Sequence, residues 1–311
     1  MNENDAVAQL RRMFPCIGDD AAVVGEDVIT TDMLIEGIDF TRDIPIRFIA
    51  RKSLAANLSD LAAMGERPKH AVVALAVRNE GDIEPFMSAI AESAQQHKIE
   101  IVGGDLSRAD KMIVSIAAVG RTSTPLLRSG AHPGDRIYIS RPLGGASAGL
   151  TLVKRWSSVE PPQDIAFAQR EFAESAIRRH IDPEPELDLG MALGAIDQVT
   201  ACIDISDGLS TDLHQLCDAS QAGADIERER IPVFPDLARN GASLGIDVRN
   251  AVLNGGEEFA LLFTSSLREA ELSTRLRRPV YAIGRIVAQR GVRIDGNDLP
   301  ARGWDHFGAS S

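Results

Sequence analysis

The chain of 311 residues has little that would mark a secreted, membrane or nucleic-acid-binding protein. Its three cysteines form no C-x-x-C pair, so neither a disulfide framework nor a zinc site is predicted. Cys16, Cys202 and Cys217 are expected to be small buried residues. No apolar run approaches the roughly 18 residues of a membrane span, and the acidic N-terminus is unlike a signal peptide. The net charge of −12 argues against nucleic acid or an anionic membrane as a partner, and a cytoplasmic location is expected.

Several catalytic signatures are also absent. The glycine-rich segment 144–151 has the spacing of a phosphate-binding loop but lacks the lysine before its threonine, so a Walker-type loop is not supported. The sequence has no G-x-G-x-x-G after a predicted strand, no H-E-x-x-H and no G-x-S-x-G. The six histidines are scattered, and we expect surface or capping roles for them; only His214 lies near the candidate chemistry.

The apolar pattern predicts two domains of mixed α and β structure, at residues 1–138 and 139–311. The length alone favours two lobes over one core. In the first domain we predict strands at 21–24, 28–31, 71–77, 99–102 and 112–119, and helices at 47–64 and 83–97. A strand predicted at 136–140 crosses the boundary, and in the second domain we predict strands at 199–205, 259–264, 280–286 and 292–294, and helices beginning at 143 and spanning 165–179, 187–196 and 209–220.

Six aspartates recur at short corners beside apolar runs, namely Asp20, Asp32, Asp60, Asp105, Asp204 and Asp207. Taken singly, an aspartate beside glycine is a common turn residue. Asn57 and Asp60, however, share one face of a predicted helix, where a buried polar pair needs partners. Asp204 and Asp207 follow one strand, and a helix N-cap accounts for only one of them. Because carboxylates suit Mg²⁺ and its phosphate ligands, phosphoryl transfer or another ATP-driven step is the first hypothesis.

Four segments and the C-terminal Trp-Asp-His-Phe at 304–307 resemble the thiamine-monophosphate kinases, members of the ATP-dependent superfamily named after aminoimidazole ribonucleotide synthetase. The segments are 30–37, 57–65, 204–209 and 255–257. The resemblance implies an α/β (α+β) fold in which the N-terminal mixed sheet, with flanking helices, forms a β-barrel with a second copy. A C-terminal α/β domain would follow. It also implies ATP, several Mg²⁺ ions and thiamine monophosphate as ligands, and a homodimer.

The resemblance further implies roles for individual residues. The implied metal ligands are Asp20, Thr30, Thr31, Asp32, Asp60, Asp105, Asp204 and Asp207. Among them, Asp105 and Asp207 would be catalytic. The implied ATP contacts are Gly104, Arg128 and Ser206. The implied acceptor contacts are Asp39, Glu257 and Trp304. An oxygen of thiamine phosphate would attack the γ-phosphorus of ATP in line, and no general base is needed because that phosphate is already ionised.

The acceptor side departs from the family pattern. Asp39 stands where the family commonly has histidine, and Leu106 stands where it has threonine. The segment 258–260 replaces Asp-Tyr-Glu, and no arginine follows the Pro-x-Pro at 183–185. Two alternatives therefore stay open: a related ATP-using enzyme with another small-molecule acceptor, and a non-catalytic nucleotide-binding regulator. Retention of all six aspartates argues against the regulator.

Overall fold

The computed structural model describes residues 3–14, 17–121 and 124–307, and its strands form two mixed sheets. The first sheet contains β1 (Ala22–Val24), β2 (Asp27–Ile35), β3 (Arg67–Val77), β4 (Glu100–Arg108) and β5 (Ile113–Arg121). Its helices are α1 (Glu3–Met13), α2 (Ile46–Ala63) and α3 (Ile83–His97). The strand order is β1-β2-β5-β3-β4, and only the β3–β4 pair is parallel. Strand β4 therefore lies at the edge opposite β1 and β2.

The second sheet is built from the rest of the chain. Its strands are β6 (Arg136–Ile139), β7 (Val199–Ile205), β8 (Gly223–Ile226), β9 (Ala260–Ser265), β10 (Tyr281–Val287), β11 (Gly291–Ile294) and β12 (Asn297–Asp298). Its helices are α4 (Gly145–Trp156), α5 (Phe167–Ile181), α6 (Leu187–Gly194), α7 (Leu209–Ala219), α8 (Leu237–Asn240), α9 (Val248–Asn254) and α10 (Glu269–Leu276). The order is β12-β11-β8-β10-β6-β9-β7, so β7 forms one edge and carries its polar C-terminal end there.

Helix α2 lies between the two sheets and is buried on nearly every side. It packs against β2 and β5 of the first sheet and against α6 and β7 of the second domain. Its alanines and leucines are strong helix formers, and the helix ends just before Gly65, which has a φ of +76°. The polar side chains of Lys52, Asn57 and Ser59 are buried along with the apolar ones. Each of them therefore needs a polar partner inside the protein.

The other face of the first sheet is not covered by any described part of this chain. Along β2, Val28 and Leu34 are buried against the helix layer, whereas Ile29 and Met33 are 39% and 55% exposed. Edge strand β4 is exposed almost throughout, including Leu106 at 58%. Natural sheets rarely leave an apolar face and an unpaired edge open to water.

The expected mixed α/β class is confirmed, and the bounds of helix 83–97 and strand 199–205 agree with the prediction. The predicted corners at Asp32 and Asp105 are wrong, because both residues lie inside longer strands, β2 and β4. The glycine pair before Asp105 suggested a turn, but an exposed edge strand tolerates it. The division at 138/139 stays a prediction; β6, which spans it, pairs in the second sheet.

The expected burial of cysteine is confirmed for Cys202 and Cys217, while Cys16 lies outside the described residues. Within the described ranges, none of the helices combines the length and apolar character that crossing a membrane requires.

A glycine sets the distance between α2 and α6, and replacing it should destabilise the protein. A Cβ on Gly190 would lie 2.0 Å from the carbonyl oxygen of Ala62 in α2. We expect Gly190→Ala to lower the free energy of unfolding by about 1–3 kcal/mol through overpacking, despite the better helix propensity of alanine. Urea denaturation measures it. Gly81→Ala is the control, since a Cβ on Gly81 has no neighbour within 4 Å; equal effects of the two changes would contradict the prediction.

Candidate active site

Three aspartates from both domains converge where α2 meets β7; Asp20 and Asp204 are buried and Asp60 is partly buried. Asp20 precedes β1, Asp60 lies on α2 and Asp204 lies on β7. One carboxylate oxygen from each lies within 4.8 Å of the others. At that separation two unit charges repel by about 3–4 kcal/mol at an effective dielectric constant of 20. The three carboxylates therefore need protons or cations between them to remain together.

Each aspartate has one oxygen that accepts a hydrogen bond from a neighbouring side chain. The Ser59 hydroxyl donates to Asp204 Oδ2 over 2.6 Å, and Thr30 donates to Asp60. Among the described residues, the buried Oδ2 of Asp20 and Oδ1 of Asp204 have no hydrogen-bond partner. Buried carboxylate oxygens without donors are the kind of ligand that a hard divalent cation prefers.

Arg128 is the cation that opposes this cluster. Its guanidinium donates to Asp20 Oδ1 over 2.7 Å and to Gln215 Oε1 over 2.6 Å, and its backbone N–H donates to the Asp19 carboxylate over 3.1 Å. The Arg128 side chain is only 16% exposed. Arg128 thus neutralises part of the negative charge, but a single guanidinium cannot balance three or more carboxylates.

The electrostatics of the cluster favour protonation when no cation is present. Burial, with repulsion from Asp20, raises the pKa of Asp204 to about 8. Burial and the neighbouring Asp32 raise the pKa of Asp60 well above its usual range. For Asp32, burial followed by repulsion from Asp207 raises the pKa to about 6. Such shifts are typical of sites that gather like charges for a ligand.

Two cavities open beside the cluster. The larger, about 630 Å³, is lined by Thr31, Arg128, Asp207 and Trp304. The smaller, about 290 Å³, is lined by other predicted site residues, Asp32, Asp39, Ser206 and Glu257, and again by Asp207 and Trp304. The backbone N–H of Trp304 donates to the carbonyl of Asp207 over 2.9 Å, which fixes the two shared residues together. The site therefore has two compartments that meet at Asp207, next to the carboxylate cluster.

Most of the predicted site residues are brought together, by different elements. Thr30 and Asp32 point from β2 toward α2, where Asn57 Oδ1 accepts from the Asp32 backbone N–H over 3.2 Å. This contact agrees with the prediction that Asn57 and Asp60 share one face of the helix.

Gly104 and Asp105 lie apart from the other predicted site residues. Strand β4 is three strand positions from β2, which corresponds to about 14 Å. Asp105 pairs with Ala74, which faces the uncovered side of the sheet. A single cage that holds all six aspartates is therefore wrong for one chain. A Cβ on Gly104 would lie 1.9 Å from the carbonyl oxygen of Val73, so strand packing alone already requires glycine there.

The glycine-rich segment 144–151 holds a carboxylate of the protein itself. The backbone N–H groups of Gly144 and Ala146 donate to Glu258 Oε1 over 2.8 and 2.9 Å. This buried carboxylate occupies the N-terminus of α4, where a phosphate loop would hold its ligand. The structure thus gives a physical reason why this segment is not a phosphate-binding loop.

Sequence reasoning missed three functional candidates. Asp19, beside the predicted Asp20, accepts from the backbone of Arg128. Lys52 and His180 are buried and lie within 3.1 Å of Glu257, although the histidines were expected at the surface or as caps. A lysine within the apolar sequence of α2 was a usable signal, since a buried lysine needs a partner. His180 had no comparable signal.

The fold and its carboxylate cluster define the class of the protein. Family models for the N-terminal and C-terminal domains of AIR synthase related proteins match residues 18–122 and 132–297. The chain is therefore a two-domain AIR synthase related protein.

Comparison with individual relatives narrows the class. A thiamine-monophosphate kinase of Rhodopirellula baltica is 32% identical, over 91% of this chain and 87% of its own length. The solved structure of AaThiL complexed with AMPPCP and TMP has a TM-score of 0.88 and 29% identity, and the match covers 98% of this chain and 97% of that one. A thiamine-monophosphate kinase of Stenotrophomonas maltophilia K279a has a TM-score of 0.77 and 32% identity, over 94% and 96% of the two chains. The chain belongs to the thiamine-monophosphate kinase family.

The stability of the metal-free protein should fall as the pH rises. Because the pKa of Asp204 is raised to about 8 in the folded state, the folded protein binds more protons than the unfolded chain between pH 4 and 8. Its free energy of unfolding must therefore decrease across that window. Asp204→Asn keeps an acceptor for Ser59 but has no charge to titrate. Its free energy of unfolding, relative to that of the wild type, should therefore rise by about 1–3 kcal/mol from pH 5.5 to 8. Urea denaturation in EDTA measures the two slopes.

A matched control removes a carboxylate at the other end of the same strand. Asp197 is exposed and precedes β7, so Asp197→Asn should keep the pH slope of the wild type. Parallel curves for the Asp204→Asn variant and the wild type would contradict the assignment of the slope to the cluster.

Proposed function

We propose that this protein is a kinase that transfers the γ-phosphoryl group of ATP to thiamine monophosphate, giving thiamine diphosphate and ADP. The observation that carries the proposal is the pair of cavities that meet at Asp207 beside the carboxylate cluster. A transfer reaction between two phosphates needs this layout, with one compartment for each substrate and a cation site at the boundary. Family membership and the AaThiL complex with AMPPCP, an analogue of ATP, support it.

The residues present fit divalent cations. Asp20, Asp60 and Asp204 offer oxygens close enough to share one ion, and Asp20 and Asp204 each have a buried oxygen without a donor among the described residues. Thr30, Asp32 and Asp207 lie around the same cluster and complete the proposed Mg²⁺ ligands on this chain, with Thr31 at the rim of the larger cavity. When bound, Mg²⁺ would neutralise phosphate charge that otherwise faces these carboxylates.

The larger cavity is the proposed ATP compartment. It contains Arg128, whose guanidinium can contact phosphate oxygens while it stays anchored on Asp20. Ser206 lines the boundary on the other side. The smaller cavity is the proposed acceptor compartment, in which the Trp304 ring can stack on a cationic heterocycle and Asp39 and Glu257 supply negative charge.

The reaction needs alignment more than proton transfer. The acceptor phosphate is already ionised at neutral pH, so its oxygen can attack without a base. Asp207 lines both compartments, where its carboxylate would help to hold the Mg²⁺ that would neutralise charge on the reacting phosphates. His214 lines the larger cavity, but its Nδ1 lies 2.7 Å from the Ser210 carbonyl and is thereby engaged in α7. We assign it no catalytic role.

Asp207 should be essential for turnover. We expect Asp207→Asn to lower kcat by at least about 100-fold, because the charge at the junction is lost. The assay mixes protein, ATP, Mg²⁺ and thiamine monophosphate and detects thiamine diphosphate by chromatography. Asp197→Asn, at an exposed residue that precedes β7, should remain fully active.

The same assay decides between this acceptor and another. ATP binding by the wild type without thiamine diphosphate formation would overturn the proposed acceptor. It would favour a related enzyme, since Asp39 replaces the histidine usual in the family. Asp39 Oδ2 accepts from the Ile35 backbone N–H over 2.7 Å, so the Asp39 side chain is fixed by a hydrogen bond to the nearby backbone. A fully active Asp207→Asn variant would contradict the assigned site.

The functional unit is proposed to be a homodimer, in which the uncovered face and edge of the first sheet meet a second copy in a β-barrel. Val72, Val102 and Leu106 are 41%, 56% and 58% exposed on or beside edge strand β4. Beyond the residues that pair with β1, β2 has a free edge, and in the proposed dimer β4 of the other copy pairs there. This pairing would bring Asp105 and Gly104 of one chain toward Asp32 of the other. This arrangement reconciles the expected metal role of Asp105 with its distance from the cluster in one chain.

Mixed dimers test the shared site. Asp105→Asn and Asp207→Asn homodimers should both be inactive. After the two are unfolded together and refolded, half of the dimers should be mixed, and each mixed dimer has one intact site. We therefore expect recovery of about a quarter of wild-type activity, because half of the dimers are mixed and each of these has one of its two sites intact. Light scattering checks the dimer; no recovery from a verified mixed dimer would place Asp105 in the site of its own chain.

A further inference from the structure

Lys52 is a cation buried where α2 faces the second domain. Its side chain is 2% exposed, and Nζ lies 2.5 Å from Glu257 Oε1. Among the described residues, Glu257 is the only ion-pair partner that Lys52 has. A lysine ammonium loses several kcal/mol of hydration on burial. Helix packing alone gives no reason for a lysine here, since an apolar side chain of similar length would fill the same space.

His180 contacts the same carboxylate from a different element. It lies on α5, is 1% exposed, and its Nδ1 is 3.1 Å from Glu257 Oε2. Burial, with the nearby Lys52 charge, lowers the pKa of His180, so its imidazole is neutral at pH 7. Each oxygen of Glu257 therefore has its own partner, one cationic and one neutral.

Glu257 is held between these partners and the acceptor cavity. Its side chain is 29% exposed, and it lines the 290 Å³ cavity with Asp39 and Trp304. Its φ is +60°, a region that a side-chain-bearing residue adopts only when its surroundings impose it. Burial acts to raise the pKa of Glu257, but the Lys52 and His180 contacts outweigh it and lower the pKa to about 2.

We infer that Lys52 and His180 are positioning residues for the acceptor: they hold Glu257 ionised and in one orientation, so that its remaining lone pairs face N–H donors of the bound acceptor. The inference rests on the proposed function. Lys52 belongs to the first domain, while His180 and Glu257 belong to the second. The acceptor compartment is therefore assembled across the domain boundary, and its specificity depends on that contact.

A double-substitution cycle tests whether Lys52 acts through Glu257. The variants are Lys52→Met, Glu257→Gln and the pair, and KM is measured for thiamine monophosphate and for ATP. We expect each single change to raise the acceptor KM about 10-fold or more and to leave the ATP KM within about 2-fold. The double variant should be no worse than the worse single one, because both remove the same contact.

The pH dependence separates positioning from simple structural damage. In Lys52→Met the partly buried Glu257 carboxylate loses its cation, so it should take up a proton and the acceptor KM should improve as the pH rises from 6 to 9. Asp32, Asp39, Lys154, Asp207 and His306 also line this cavity, so the profile is compared with that of the wild type. Glu257→Gln and the double variant should lack the added pH dependence. Lys52→Arg, which keeps the cation, should recover most of the acceptor KM.

His180→Gln provides a second arm if Lys52→Met does not fold. Glutamine also has an N–H group, but places it at a different distance from Glu257. We expect a rise of about 3- to 10-fold in the acceptor KM alone. Additive effects in the double variant, an equal rise in the ATP KM, or an unchanged acceptor KM in the Lys52 and His180 variants would overturn the inference. A wild type that binds ATP but makes no thiamine diphosphate would instead overturn the proposed function.

Discussion

The burial of α2 is the constraint on which the site depends. A helix packed between two sheets cannot leave buried polar side chains unpaired, so three of its polar residues hold residues of other elements, while Ser53 donates to the Ile49 carbonyl within the helix. Ser59 holds Asp204, Asn57 holds the backbone of Asp32, and Lys52 holds Glu257. Residues of both the carboxylate cluster and the acceptor cavity are thus held by contacts to α2, which explains how two domains can form a single site.

Opposing charges divide the site into two parts. Around the cluster, burial first and then repulsion between the carboxylates raise the pKa values of Asp60 and Asp204, and Arg128 balances only part of the negative charge. Around the acceptor cavity, Lys52 balances Glu257 and the carboxylate stays ionised. The carboxylate cluster therefore has excess negative charge, which Mg²⁺ can neutralise. In the second region, each carboxylate oxygen of Glu257 already lies beside a side chain of the protein, Lys52 or His180.

The sequence predicts those features of the fold and site that depend only on residues close together in the chain. The strand 199–205 and the helix 83–97 follow from apolar periodicity, and Asn57 and Asp60 share a helix face because of their spacing. Prediction failed at Gly103 and Gly104, because local glycine chemistry suggests a turn whereas sheet pairing makes them part of an edge strand. It also failed at His180, whose burial depends on α5 packing near α2 and has no local signature.

The sequence by itself determined the types of group present: six aspartates, their flanking hydroxyls, the acidic balance without a phosphate loop, and membership of an ATP-dependent family. Only the tertiary structure decided which groups meet. It joined Asp20, Asp60 and Asp204, moved Asp105 to a distant edge, and paired Lys52 with Glu257. The physical reason is that local patterns specify elements through nearest neighbours. Contacts between charges far apart along the chain depend on how α2, β2 and β7 pack, and on the desolvation that this packing imposes.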